Sequence, residues 1–191
     1  MITTLDTNLL LEDEIIEIKP QPKQEQFLAC SADIVIYGGA AFGGKTYALL
    51  LEPMRHLGNP KFGAVIFRRT ISEITKEGGL WDEAGDLYPL LGGESNEQEH
   101  SYTFESGAKI TFAHMQHDKD KYSWKSSQIA LIEIDQLETF LAGQFFYMFS
   151  RNRSKSGVRP YIRATANPEP GWLADFLDWW IDEDGDRKSV V

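Results

Sequence analysis

Eight consecutive residues, Gly39-Ala40-Ala41-Phe42-Gly43-Gly44-Lys45-Thr46, set glycines, a lysine and a hydroxyl in the order G-x-x-x-x-G-K-[ST]. That spacing suits the holding of phosphates. Glycines let successive backbone N–H groups curl around an anion, and a helix opening at the end of the loop adds a favourable dipole. In this chemistry Lys45 reaches the β and γ phosphates of ATP, and the Thr46 hydroxyl ligates Mg²⁺. The pattern also arises by chance, so its setting decides. A short β-branched apolar run at residues 33–37 leads into it and a helical pattern at residues 45–56 leads out, as the mechanism requires.

A second candidate lies at Ile129-Ala130-Leu131-Ile132-Glu133-Ile134-Asp135, an apolar strand that resembles a Walker B strand ending in an aspartate placed to hold Mg²⁺ through water. The next residue is Gln136, where hydrolytic sites of this layout carry a glutamate that orients and deprotonates the attacking water. A glutamine can orient water through its amide oxygen, but it is neutral and a poor proton acceptor. Three readings fit. Gln136 is an isosteric replacement that traps bound ATP; or it is natural, with Glu138 or Glu133 as base; or the domain binds ATP and hydrolyses it slowly. Glu133 shares a strand face with Asp135, although mid-strand is a deep position for a base.

The elements that must position these groups alternate. Apolar strands are expected at residues 33–37, 63–68, 128–135 and 160–166, with helical patterns at 24–30, 45–56, 72–91 (broken at Gly78-Gly79 and Pro89), 142–151 and 172–181. Residues 101–104 and 109–113 flank Glu105-Ser106-Gly107-Ala108, a hairpin signal. Strands alternating with helices predict an α/β fold with a mainly parallel central sheet flanked by helices, and the glycine loop makes it a P-loop NTPase in expectation. The boundaries expected are an N-terminal arm at 1–22, an ATPase domain at 23–182, and an acidic tail or linker at 183–191. At 191 residues the chain can bury a sizeable core. No apolar run is long enough to span a membrane, so no membrane partner is expected, and one cysteine, Cys30, fits a reducing cytoplasm.

The net charge of -10 argues against a DNA grip spread over the whole surface, because neutralising phosphates needs a basic excess. Acids concentrate at Glu12, Asp13, Glu14 and Glu17, and again from Asp175 to Asp186. Bases gather at Arg68-Arg69, at 119–125, and at Arg151, Arg153, Lys155 and Arg159. Any DNA contact is therefore expected to be local, or supplied by another domain.

Residues 33–51, "DIVIYGGAAFGGKTYALLL", are similar to the phosphate-loop region of terminase large subunits from tailed phages and prophages. The resemblance continues through "FRRT" (67–70), "SGAKITFAHM" (106–115), "SRNR" (150–153) and "ATANPEPGW" (164–172). It implies an additional-strand, RecA/ASCE-like P-loop ATPase domain that forms a ring homo-oligomer on the portal protein, works with the small terminase subunit, and pumps double-stranded DNA into a procapsid in the host cytoplasm. It also implies a second, nuclease domain, which this sequence is expected to lack. Gln24 falls at the family's adenine-contacting glutamine. Thr165 and Asn167 match the coupling motif that senses the γ-phosphate, and Asn167-Pro168 also fits a plain turn. Phe42 departs from the family, where a small or basic residue is common, which puts a cis arginine from the loop in doubt. Arg151 and Arg153 lead the candidates for the charge that stabilises the transferred phosphate, ahead of Arg68, Arg69 and Lys125.

Two other constellations count for less. His114, His117 and Asp118 lack further ligands at metal spacing. Trp172, Phe176, Leu177, Trp179 and Trp180 recur at helical spacing and read as a packing face. Competing functions are a helicase-like or repair ATPase, which should bring a second lobe, and an ATP-dependent assembly module that does not hydrolyse.

Overall fold

The computed structural model describes residues 18–39, 44–167 and 169–178. Expectations for the arm at 1–17, the loop residues Ala40, Ala41, Phe42 and Gly43, and the tail past residue 178, Trp179 and Trp180 included, lie outside the described residues.

Helix α1 (Pro22–Ala29) opens on a proline, whose missing N–H costs nothing in a first turn. Strand β1 (Ile34–Gly38) feeds the phosphate loop, and α2 (Lys45–Leu51) leaves it through Gly44 at φ 64° and ψ 19°, a left-handed conformation that glycine adopts without strain. Pro53 has no N–H to continue the α-helical ladder. The helix expected to run to residue 56 therefore tightens into a 3₁₀ turn at Glu52–His56.

Strand β2 (Gly63–Arg68) has the boundaries its sequence suggests. Thr70 and Glu73 then form a reciprocal cap, with the Glu73 N–H donating to Thr70 Oγ1 and the Thr70 N–H to Glu73 Oε2, which starts α3 (Ile71–Thr75). Helix α4 (Leu80–Leu87) follows the glycine break. Next come β3 (Glu94–Asn96), β4 (Ser101–Thr103) and β5 (Lys109–His114), then β6 (Leu131–Ile134), α5 (Ala142–Phe149), β7 (Tyr161–Ala166) and α6 (Trp172–Asp178).

The sheet has seven strands in the order β1-β7-β6-β2-β5-β4-β3. The first five run parallel, and β4 and β3 add on antiparallel. This is the α/β arrangement expected, extended by β3, whose three residues are all exposed and carry no apolar pattern.

Alternation along the central strands divides the sheet into two unlike faces. Ile132, Ile134, Ile162, Ala164, Val65 and Phe67 point to one side and pack with α5 and α6, including Trp172, Phe176 and Leu177. On the other side, under α2, the same strands present Leu131, Glu133 and Asp135 on β6 and its extension, and Tyr161, Arg163 and Thr165 on β7. That face is apolar at its amino end and polar towards its carboxyl end. Phe67 pairs with Ile134, and Ile134 with Ala164. One residue further along, Arg68, Asp135 and Thr165 are therefore neighbours.

Candidate active site

Asp135, 1 % exposed, is the hub. Arg68 donates from Nε (2.7 Å) and from its terminal nitrogen (2.6 Å) to Oδ2. Thr165 Oγ1 donates to Oδ1 (2.5 Å) and in turn accepts the backbone N–H of Gln136 (2.9 Å). Thr46 Oγ1 stands 3.2–3.3 Å from both carboxylate oxygens. Four elements, α2, β2, β6 and β7, thus meet on one carboxylate at the carboxyl end of the sheet. Hydroxyl and carboxylate oxygens at this spacing are the hard donors Mg²⁺ takes, so Thr46 and Asp135 fit the metal role expected of them. Lys45 Nζ donates to the carbonyl of Gly39 across the loop (2.8 Å).

Gln136 has φ 58° and ψ 58°, a left-handed backbone that a non-glycine residue adopts at a cost. Its carbonyl accepts from both the N–H and the hydroxyl of Thr139, which holds the turn. Among the described residues, no group hydrogen-bonds its half-buried side-chain amide. Two residues on, Glu138 Oε1 accepts from Asn167 Nδ2 (2.8 Å), while its Oε2 is buried without a partner. Thr165 and Asn167 therefore contact the two sides of the same turn, Thr165 at Gln136 and Asn167 at Glu138.

Glu133 lies beneath this hub and is not placed to serve as a base. It is fully buried, and neither of its oxygens has a hydrogen-bond partner. Burial, and then the charge of nearby Glu52, push its carboxyl well above the usual carboxylate range. Arg163 and Glu52, both buried, complete this lower layer at 3.6 Å from each other. Arg163 also ties β7 to the end of α1, donating to the carbonyls of Cys30 (2.7 Å) and Ala32 (2.9 Å).

Gln24 is buried and committed at both ends of its amide. Oε1 accepts from the Gln21 N–H, and Nε2 donates to the carbonyl of Gly44 at 2.7 Å. An adenine edge would have to take the amide from these backbone partners. In this structure Gln24 braces the exit of the phosphate loop, and a Cβ on Gly44 would come within 2.6 Å of it.

The arginines sort differently from their ranking by sequence. Arg68 is the one at the hub. Arg69 is turned to the other face, where it donates to the Met115 carbonyl and to Gln144. Arg151 and Arg153 flank Ile129 through backbone bonds at the amino end of β6, so they do not reach Asp135 of their own chain. Lys125 is exposed just before that end. Glu83 of α4 was not foreseen: burial, and then the charge of Asp135, raise its carboxyl, with Arg68 opposing. No spacing rule could find it, because α4 meets the site only through the fold.

A sequence model of the family described as terminase large subunit, T4likevirus-type, N-terminal, matches residues 35–191. No curated protein matches. Among solved structures, the large terminase ATPase domain of Thermus phage P74-26 aligns with TM-score 0.63 at 11% identity, over 89% of this chain and 73% of that one. The N-terminal domain of the DNA packaging ATPase from bacteriophage phi29 aligns with TM-score 0.58 at 13% identity, over 84% of this chain and 87% of that one. The large terminase of the thermophilic bacteriophage D6E, solved in complex with ADP, aligns with TM-score 0.58 at 13% identity, over 83% of this chain and 42% of that one. At these identities the likeness is one of fold.

Proposed function

The chain belongs to the terminase large-subunit family, T4likevirus-type, N-terminal part, and on that premise we propose that it is the ATP-binding motor domain that drives double-stranded DNA into a viral procapsid. The observation that carries this reading is the convergence of Thr46, Arg68 and Thr165 on the carboxylate of Asp135 beside the phosphate loop. In its working form the site holds ATP and Mg²⁺, which neutralises charge on the phosphates. The chain's own residues do the rest. Lys45 leaves the Gly39 carbonyl for the β and γ phosphates. Thr46 and Asp135 would hold the metal, and Arg68, bonded to Asp135 in this structure, is the cation of the chain placed to stand beside the developing charge. Thr165 and Asn167 read the change at Gln136 and Glu138 and pass it to β7.

The chain binds ATP better than it hydrolyses it, because Gln136 can position a water but cannot take its proton. Glu133 is too deep to replace it, and Glu138 is bound to Asn167. Assembly is a ring on the portal protein with the small subunit nearby, in the host cytoplasm. In such a ring neither Arg151 nor Arg153 reaches its own chain's nucleotide, so any charge they lend to phosphoryl transfer goes to a neighbour's. A helix long and apolar enough to cross a membrane is absent among the described residues.

ATP turnover on three proteins tests the reading. Gln136→Glu should raise turnover by about 10²-fold or more, the range of a restored general base, and Lys45→Ala should abolish it. A Gln136→Glu protein no faster than the parent would sink the assignment of Gln136 to a disabled base position. Nucleotide binding with no turnover in any form would favour the assembly module instead.

A further inference from the structure

The sheet end opposite the nucleotide carries a feature the motor chemistry does not use. A cleft of about 450 Å³ opens at the amino ends of β2 and β6, and Lys61, Arg153 and Lys155 line it together with Ser126, Gln128 and Ser154. None of its lining residues is acidic. Elsewhere many cations are neutralised: Arg68 by Asp135, Arg55 by Glu52, Lys109 by Glu99, Lys121 by Asp118 and Arg159 by Asp33. Lys61, Arg153 and Lys155 are exposed, and among the described residues no carboxylate pairs with them. In a chain of net charge -10, three unpaired cations meeting in one acid-free cleft is a local reversal of sign.

The platform beneath them is fixed. Asn152 Nδ2 lies 3.0–3.2 Å from the carbonyls of Ile129, Ala130 and Tyr161. Arg153 N–H donates to the Ile129 carbonyl (3.1 Å), and Asn59 Nδ2 donates to the carbonyl of Ser156 (2.9 Å). Ser154 and Ser156 bond each other at 2.7 Å. The charges therefore stand on backbone held in place before any ligand arrives, and two hydroxyls and an amide stand beside them. Cations interleaved with small hydroxyl and amide donors suit phosphodiester oxygens, which ask for charge and hydrogen bonds without base readout.

We propose that this cleft is a contact site for the phosphate backbone of double-stranded DNA, formed by Lys61, Arg153 and Lys155. It rests on the reading of the chain as a DNA motor. It also separates Arg153, which faces the cleft, from Arg151, whose guanidinium lies over the Tyr147 ring at 5.4 Å.

The test is the full chain titrated with a short labelled duplex from roughly 50 to 200 mM salt. Lys61→Glu/Arg153→Glu/Lys155→Glu is compared with a charge-matched control, Lys23→Glu/Lys76→Glu/Lys119→Glu, at exposed positions outside the cleft. The cleft variant should bind at least about tenfold more weakly at low salt, with a log K against log [salt] slope shallower by about 2–3. The control should lose clearly less. Equal losses in the two variants, or no duplex binding by the parent at low salt, would overturn the proposal. So would unchanged duplex affinity together with lost turnover in the assembled protein, which would assign the cleft to a neighbour's nucleotide. Titration of each protein with a fluorescent ATP analogue keeps the two readings apart: a parent that binds duplex through the cleft but no nucleotide would fail the motor assignment and leave the cleft standing.

Discussion

Asp135 and Glu133 sit two residues apart on one face of β6, both carboxylates, both buried, and the chain treats them in opposite ways. Asp135 receives hydrogen bonds from Arg68, Thr165 and Thr46. Glu133 receives none, and its nearest charges, Glu52 and Arg163, hold each other at arm's length. The difference follows from what else reaches each level of the sheet. At the carboxyl end, the last residue of β2, Thr165 of β7 and the first turn of α2 bring in donors; one layer down, the nearest are Arg163 of β7 and Glu52 of the 3₁₀ turn after α2. A buried carboxylate without donors, such as Glu133, is driven to keep its proton.

The strongest test of this contrast is to remove the upper carboxylate. Asp135→Ala leaves Arg68 buried without its partner and should cost about 3–5 kcal/mol in a urea titration, with ATP turnover lost. A loss under about 1 kcal/mol would mean that the hub does not hold the sheet end together. Thr165→Val keeps the shape and deletes the hydroxyl between Asp135 and Gln136, so a loss of about 1–3 kcal/mol is expected by the same measurement. Turnover in the Gln136→Glu background should fall with it, because the turn that carries residue 136 loses its anchor.

The smallest effect belongs to the lower layer and has the opposite sign. Glu133 has its carboxyl raised from 4.5 in the folded state. The folded chain therefore binds more protons than the unfolded chain above about pH 4.5, and its stability falls as pH rises through the folded value. Glu133→Gln removes that slope. The variant should match the parent near pH 4.5 and become progressively more stable than it towards neutrality, measured by denaturant midpoints across the range. Glu52, raised in the same direction by burial, leaves a residual slope in both proteins. A Glu133→Gln protein less stable than the parent at neutral pH would show that the buried carboxylate is charged and useful after all.

The phosphate loop, Asp135 and the strand bounds of β2 were legible because they depend on local order: glycines at fixed spacing, an apolar run and an acid at its end. Thr165 and Asn167 came from resemblance, and the structure sets them on either side of one turn. The contact of Arg68 with Asp135 is hidden in the sequence for a definite reason. It depends on β6 lying between β7 and β2, and strand order is invisible to a linear scan. Arg151 and Arg153 lie at the opposite edge of the sheet from Asp135, a placement hidden in the sequence because a basic helix end looks alike at either edge. Gln24 is expected at the adenine from resemblance, and the fold commits its amide to Gln21 and Gly44, which no linear scan reports. β3 was missed because an exposed polar triplet has no periodicity to report.

Asn152 carries a mechanical consequence. Its amide ties Ile129 and Ala130 to Tyr161, stapling β6 to β7 at their amino ends, while Thr165 staples Asp135 and Gln136 to β7 at the other. Two parallel strands pinned at both ends resist sliding past each other, so they move as one stiff plate. A nudge at the nucleotide edge then emerges at the far edge, about 17 Å away along five residues of strand, as a tilt instead of a shear. The groups mounted there would swing as a unit, in the manner of the far arm of a seesaw.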